Sequence, residues 1–255
     1  DFIFHFAAQS IVSQSFDDPV ETYQTNTIGT VNLLEIIRLY KGEIITVFIT
    51  SDKVYENLEW TWGYREIDQL GGKDPYSSSK AMAELAISSY HRTFLKNKNT
   101  KFAVGRAGNV IGGGDWNETR IIPDCVKAWS KNKKVKIKNL NSTRPWQFVL
   151  EPISGYFRLA QKLYSSELKS GEVFNFGPIS DNNFTVEELV KELKKNWENA
   201  NYEIINNKTK ISKEAMLLKL NCDKALNDLK WKPTLNFHDT VKMTAEWYKA
   251  YYLNN

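Results

Sequence analysis

A chain of 255 residues is long enough for one large α/β domain, or for a domain with a second lobe. Hydrophobic residues make up 42% and charged residues 25%, an ordinary globular balance, and the formal net charge of +4 is too small to argue for nucleic acid. Cys125 and Cys222 are far apart and fit no metal-ligand spacing, so reduced thiols of a cytoplasmic protein are the default, and no apolar run approaches the roughly 20 residues of a membrane-spanning helix.

Phe2-Ile3-Phe4-His5-Phe6 reads as a buried strand ending at Ala7-Ala8-Gln9. The chain starts at Asp1, directly before that strand, and so reads as beginning inside a domain. From about 21 to 40, Val31, Leu33, Leu34, Ile36 and Ile37 recur with helical period. Residues 44–50 form a β-branched run without polar alternation, the pattern of a parallel strand covered on both faces. Pro75 can open a helix that continues over 76–93. Residues 101–104 form a third strand, followed by Arg106-Ala107-Gly108-Asn109. Strands alternating with helices predict right-handed crossovers and a doubly wound parallel sheet. Ligands on such sheets bind at the carboxyl ends of the strands. The polar clusters at 7–9, 50–53 and 106–109 fall there, so three strand ends converge on one crevice.

After Gly112-Gly113-Gly114 the segments become shorter, more polar and more aromatic. Thr185-x-x-Glu188 reads as a capping box opening a helix, and 223–229 and 239–252 read as two more helices. The expected division is a partial dinucleotide-binding domain over 1–114 and a smaller α/β substrate lobe mainly over 115–255. That lobe is discontinuous, with some segments returning to the sheet. The basic run at 127–138 is either a solvated helix end or a field attracting an anionic, phosphate-bearing substrate.

Two constellations carry chemistry. Tyr76 and Lys80 are one helical turn apart and lie on one face. An ammonium beside a phenol favours the phenolate, so the expected Tyr76 pKa is below the usual value of about 10. Such a tyrosine takes a proton from a sugar hydroxyl as hydride leaves the same carbon. Tyr-x-x-x-Lys alone is common. The second constellation, Thr50-Ser51-Asp52-Lys53, directly follows the middle strand. It is either a catalytic cluster facing Tyr76 or a turn in which Ser51 or Asp52 merely caps a helix.

With these motifs in view, the chain resembles the extended short-chain dehydrogenases/reductases. The shared features are FHFAAQ at 4–9, Asn26 in TNTIGTVNLLE, TSDKVY at 50–55, YSSSK at 76–80 and GRAGNVIGGGDW at 105–116. SDKVYEN with WTWGYREIDQLGGKDPYS, and RPWQFVLEPISGY at 144–156, resemble within that family the 4,6-dehydratases that act on CDP-glucose. The resemblance implies an NAD-binding Rossmann-type sheet and a set of roles. Tyr76 would take the proton of the glucose 4-hydroxyl while C4 is oxidised. Lys80 would lower the Tyr76 pKa and hold the nicotinamide ribose, and Ser51 would bond the developing 4-keto oxygen. Asp52 would protonate the departing 6-hydroxyl. Lys53 stands where related dTDP-glucose dehydratases carry the glutamate base for C5. A lysine serves there only when burial or neighbouring cations favour its neutral amine.

Ala7, Ala8, Gln9, Asn26, Thr50 and Arg106, with Tyr76 and Lys80, are the implied cofactor-binding residues. Asn109, Arg120, Arg144 and Asn175 are the implied substrate-binding residues, with Arg144 on the diphosphate. The backbone of 135–138 would face the cytosine, and Trp116 and Trp146 would stack on the base or fill core. A homodimer through the helices near 21–40 and 76–93 is a further implication. The family's glycine-rich turn, which receives the NAD pyrophosphate, does not occur in the sequence. The chain is therefore expected to be an N-terminally truncated form, inactive alone, with NAD assigned from the resemblance only. Other readings are a 4-epimerase, a dehydratase of another nucleotide sugar, and a non-catalytic nucleotide-sugar-binding module.

Overall fold

The computed structural model describes residues 1–96, 98–137, 139–178, 184–197, 199–205 and 217–253. In chain order the strands are β1 (Phe2–His5), β2 (Ile45–Ile49), β3 (Lys101–Ala107), β4 (Val110–Ile111), β5 (Val135–Ile137), β6 (Thr143–Arg144), β7 (Gln147–Phe148), β8 (Glu172–Phe176), β9 (Phe184–Thr185) and β10 (Tyr202–Ile204). The helices are α1 (Val12–Asp17), α2 (Pro19–Tyr23), α3 (Gly29–Leu39), α4 (Pro75–Tyr90), α5 (Ile121–Trp129), α6 (Leu150–Tyr164), α7 (Val186–Lys194) and α8 (Phe237–Leu253).

The main sheet is parallel throughout, in the order β1-β2-β3-β8. Its register aligns Phe4 with Val47, Val47 with Ala103, and Ala103 with Glu172. Side chains alternate across the pleat. Phe48, Phe102 and Val104 therefore meet Leu34 and Ile37 of α3 and Ile87 of α4 on one face. Val47, Ala103, Phe174 and Phe176 meet Tyr156, Leu159 and Leu163 of α6 on the other. Covering both faces explains why β2 carries no polar alternation.

A second core joins Ile122, Val126 and Trp129 of α5 to Val135 and Ile137 of β5, Leu189 and Leu193 of α7, and Phe237, Val241 and Tyr248 of α8. Phe184 stacks on Phe237 with ring centroids 3.8 Å apart. The capping box forms as expected: Thr185 Oγ1 accepts from Glu188 N, and the Glu188 carboxylate accepts from Thr185 N. Among the described residues no helix is long and apolar enough to cross a membrane.

Some boundaries differ from expectation. The helix expected near 21–40 starts at Pro19, capped by the Asp18 side chain, and a π-helical turn at Gln24–Ile28 joins α2 to α3. The helix expected over 76–93 is α4, continued by a π-helical turn at His91–Leu95. The helix expected over 223–229 forms across that whole span, its last five residues, Ala225–Leu229, as a π-helical turn. Helix α6 has no counterpart in the sequence reading because Pro152 and Gly155 interrupt its apolar period. Pro152 is tolerated because it lies in the first turn, where its missing N–H is not needed.

Candidate active site

Three strand ends form the floor. At the end of β2, Ser51 caps the short turn Asp52–Val54, its Oγ accepting from Lys53 N at 3.2 Å. The same hydroxyl donates to Asp52 Oδ1 at 3.0 Å. Capping and facing the cavity are thus compatible roles for Ser51. Asp52 is buried, and Asn109 donates to its Oδ2 at 3.2 Å from beyond the end of β3. Asn109 reaches it from a left-handed backbone, φ 52°, which asparagine tolerates better than most residues. Gly108 is required beside them, since a Cβ there would stand 1.9 Å from Asp52 Oδ2. Burial raises the Asp52 pKa; the Lys53 ammonium, the Ser51 hydrogen bond and Arg144 pull it back. The net effect is a raised pKa, a shift toward the protonated carboxyl.

Helix α4 presents Tyr76 in its first turn. Asp74 caps that turn by accepting from Ser77 N at 2.9 Å, and Pro75 opens the helix. The Tyr76 phenol is pushed up to about 12, against the expected fall. Burial is the main cause; the Ser51 hydroxyl and Arg120 pull it down, while Asp52 and Asp74 push it further up. Lys80 is itself buried, its ammonium pushed down to about 8 by loss of water, with Glu84 opposing the fall. Its Nζ donates to the Ile49 carbonyl at 3.4 Å, at the end of β2. Desolvation therefore outweighs the effect read from the spacing of Tyr76 and Lys80.

Several residues expected at the ligands make hydrogen bonds within the protein. Gln9 N donates to Asn26 Oδ1 at 2.8 Å, and Asn26 Nδ2 donates to the Gln9 carbonyl and to Ser79 Oγ. Ser79 Oγ in turn donates to the Tyr76 carbonyl at 2.7 Å. This buried chain ties the loop after β1 to α4, so Gln9 and Asn26 position the floor. Ala7 is exposed and Ala8 half-buried at the end of β1. Thr50 turns its hydroxyl inward to Glu84 Oε1 at 2.6 Å. Arg106 is paired with the Glu84 carboxylate, both side chains 3% exposed, and donates to Tyr55 Oη at 2.6 Å. Asn175 accepts from Tyr55 Oη at 2.7 Å and donates to the Tyr64 and Asn221 carbonyls. Arg106 and Asn175 thus belong to an internal network, because an ion pair and fixed carbonyls already satisfy them.

A cavity of about 560 Å³ opens above the floor, and Ser51, Asp52, Lys53, Tyr76, Asn109 and Arg144 line it. Arg120 stands at its rim. It pairs with Asp115 at 3.0 Å and donates to Ser10 Oγ at 3.2 Å, joining the segment before α5 to the loop after β1. Arg144 also donates to the Thr143 carbonyl at 2.7 Å. Trp146 lines the cavity and joins the second core; Trp116 packs against Tyr248 and Tyr251 of α8. Of the segment expected to face a base, residue 138 lies outside the described residues, and Val135 and Ile137 are buried in the second core. Glu84 and Ser79 were missed from sequence. Their one signal was helical spacing, Glu84 lying one turn beyond Lys80 and Ser79 three residues beyond Tyr76.

Known proteins resemble this chain in sequence and fold. The chain is 43% identical over 98% of its length to a CDP-glucose 4,6-dehydratase of Salmonella typhimurium, covering 71% of that protein. It is 28% identical over 99% of its length to a UDP-glucose 4-epimerase of Mycoplasma genitalium, covering 76% of it. A dTDP-glucose 4,6-dehydratase of Bacillus anthracis, solved in complex with NAD, superposes with a TM-score of 0.79 at 28% identity. That match covers 98% of this chain and 73% of the solved one. The family model described as GDP-mannose 4,6 dehydratase matches residues 1–244. With the Tyr76–Lys80 helix and the Ser51-Asp52-Lys53 strand end in place above a parallel sheet, the chain belongs to the GDP-mannose 4,6 dehydratase family.

Proposed function

We propose that the protein is a cytoplasmic, NAD-dependent CDP-glucose 4,6-dehydratase that forms CDP-4-keto-6-deoxy-D-glucose. One observation carries the reading: a buried Asp52 carboxyl, its pKa raised by that burial, lines the same cavity as Ser51, Lys53 and Tyr76. An epimerase has no step that consumes such an acid. A dehydratase must protonate the hydroxyl that leaves C6. The Salmonella typhimurium relative supports the cytidine nucleotide, and the Bacillus anthracis neighbour supports NAD.

NAD fits the donors present. The Lys80 ammonium has three N–H groups, and its long hydrogen bond to the Ile49 carbonyl uses one, leaving donors for a ribose diol. The small side chains of Ala7 and Ala8 leave the end of β1 open to a ring. When bound, NAD supplies the hydride acceptor at C4 and the hydride donor at C6.

Tyr76 in its phenolate form, which the positive charge of bound NAD would favour against the burial that holds the phenol neutral, receives the 4-hydroxyl proton, and Ser51, turning its hydroxyl away from Asp52, donates to the 4-keto oxygen that forms. The ketone acidifies C5–H, and Lys53, having first given up its own ammonium proton to become the neutral amine, removes that proton. Asp52 gives its proton to the 6-hydroxyl, which leaves as water. C5 regains a proton as C6 receives hydride, so oxidation at C4 balances reduction at C6. Arg144 and Arg120 hold the diphosphate, with Asn109 keeping Asp52 in place; guanidinium groups suit phosphate oxygens. Exposed apolar residues on α3 (Ile36, Leu39) and α4 (Met82, Leu85) form the contact face of a homodimer.

The test is incubation with CDP-glucose and NAD. The expected product has lost one water and absorbs in the near ultraviolet in alkali. A galactose epimer would refute dehydration, and equal turnover of dTDP-, UDP- or GDP-glucose would refute the cytidine assignment.

A further inference from the structure

Beneath the cavity lies a polar network that none of the steps above uses. Its centre is Glu84, one helical turn beyond Lys80 on α4 and almost completely enclosed. Its carboxylate accepts from Thr50 Oγ1 at 2.6 Å and from Arg106 Nε at 2.9 and 3.1 Å. Thr50 directly precedes Ser51. Arg106 continues the network to Tyr55 Oη, and Tyr55 to Asn175. Glu84 therefore touches the strand end that carries Ser51 and lies on the same helix face as Lys80, while making no contact with the cavity.

We propose that Glu84 is a positioning residue of the active site: its carboxylate keeps the buried Lys80 ammonium charged and pins Thr50 so that Ser51 meets Tyr76. This rests on reading Tyr76 and Lys80 as the proton-handling and cofactor-holding pair. Burial and a neighbouring charge oppose each other at Lys80. Burial drives it toward the neutral amine, and an anion one turn away restores the cation. His5 on β1 also interacts with Lys80; its pKa is lowered by burial and by that ammonium, which extends its neutral form below the ordinary midpoint. Arg106 on β3 faces Glu84 and pairs with its carboxylate. The hydroxyl of Thr50 bonds the same carboxylate oxygen as Arg106 Nε, so the anion one turn from Lys80 also holds the strand end.

The experiment titrates Lys80 directly. Protein labelled with ¹³C at the lysine ε-carbon is followed by NMR from pH 6 to 11, with Lys80→Arg assigning the signal. Glu84→Gln is expected to lower the Lys80 midpoint by about one pH unit or more, the usual size of an opposite-charge effect. The pH profile of turnover is expected to move with it. Tyr55→Phe breaks the network beyond Arg106 and is expected to lower stability while leaving the midpoint in place. Where Glu84→Gln leaves Arg106 unpaired and the fold fails, Glu84→Gln with Arg106→Gln replaces the ion pair by a neutral amide pair; the midpoint is again expected to fall. An unchanged midpoint in a folded Glu84 variant, or an equal fall in Tyr55→Phe, overturns the proposal. The titration needs no substrate, so failure of the dehydratase reading leaves its outcome intact.

Discussion

Asn109 and Asp52 meet across two strand ends, the asparagine amide donating to Asp52 Oδ2 at 3.2 Å. The contact joins β3 to β2 at the cavity floor, and only a glycine at 108 leaves room for it. An amide donor fixes where the carboxyl points without supplying a full charge, so burial still favours the acid. Asp52→Asn keeps the shape and loses the proton. Water loss is expected to fall by about 10²- to 10⁴-fold, the range for general acid catalysis. Oxidation at C4 is expected to persist, read as nicotinamide absorbance on adding CDP-glucose. Equal loss of both steps would show that Asp52 serves structure alone.

The same carboxyl makes a stability prediction with a definite sign. Its folded pKa is raised by burial, so between the unfolded value, about 3.9, and the folded one the native state binds more protons. Stability from this group therefore falls as pH rises through that window, and the ionisation penalty is complete above it. Asp52→Asn removes the penalty. The variant is expected to be more stable than the parent at pH 7, with the gain shrinking as pH falls toward 3.9. Urea unfolding at pH 7 and pH 4 measures both values; a gain that grows on acidification would contradict the burial argument.

Much of this site was legible in the residues. β-branched composition marked β2, Pro75 marked the start of α4, and the spacing of Tyr76 and Lys80 placed them on one face. What spacing cannot express is burial. The phenol was expected to be acidified by its lysine, yet loss of water pushes it to about 12 and brings the lysine down to about 8. Arg106 and Asn175 fell outside the cavity for a similar reason. A strand-end arginine looks available for a ligand until Glu84, 22 positions away, is folded against it. Helix α6 was missed because a proline and a glycine hide an amphipathic period that only the sheet's second face reveals.

Lys53 lines the cavity, and its charge acts on Asp52 next to it. A base and an acid on adjacent residues can serve adjacent carbons, C5 and C6, without either moving far. Lys53→Met removes the base and keeps a side chain of similar length. In deuterated water, isotope incorporation at C5 is expected to drop by about 10²-fold or more. C4 oxidation is expected to stay within a few-fold of the parent. Undiminished exchange at C5 would assign the base to another group.

The outer faces of α3 and α4 carry Ile36, Leu39, Met82 and Leu85, with Ile36 64% and Leu85 58% exposed. The inner faces of the same helices are already filled by Leu34, Ile37 and Ile87 against the sheet, so these outer residues contribute nothing to the core seen in one chain. Clustered exposed apolar residues on two adjacent helices are costly in water and mark a surface that another protein covers. A second copy pairing the same two helices would bury them about a two-fold axis, where each residue meets its own face. Ile36→Lys with Leu85→Lys puts four charges into such an interface, where desolvation without partners costs several kcal/mol. Sedimentation velocity is expected to show a dimer for the parent and a monomer for the double variant. The fold should survive, since both positions face outward. Far-ultraviolet circular dichroism checks that, and a parent that sediments as a monomer at micromolar concentration would remove the dimer.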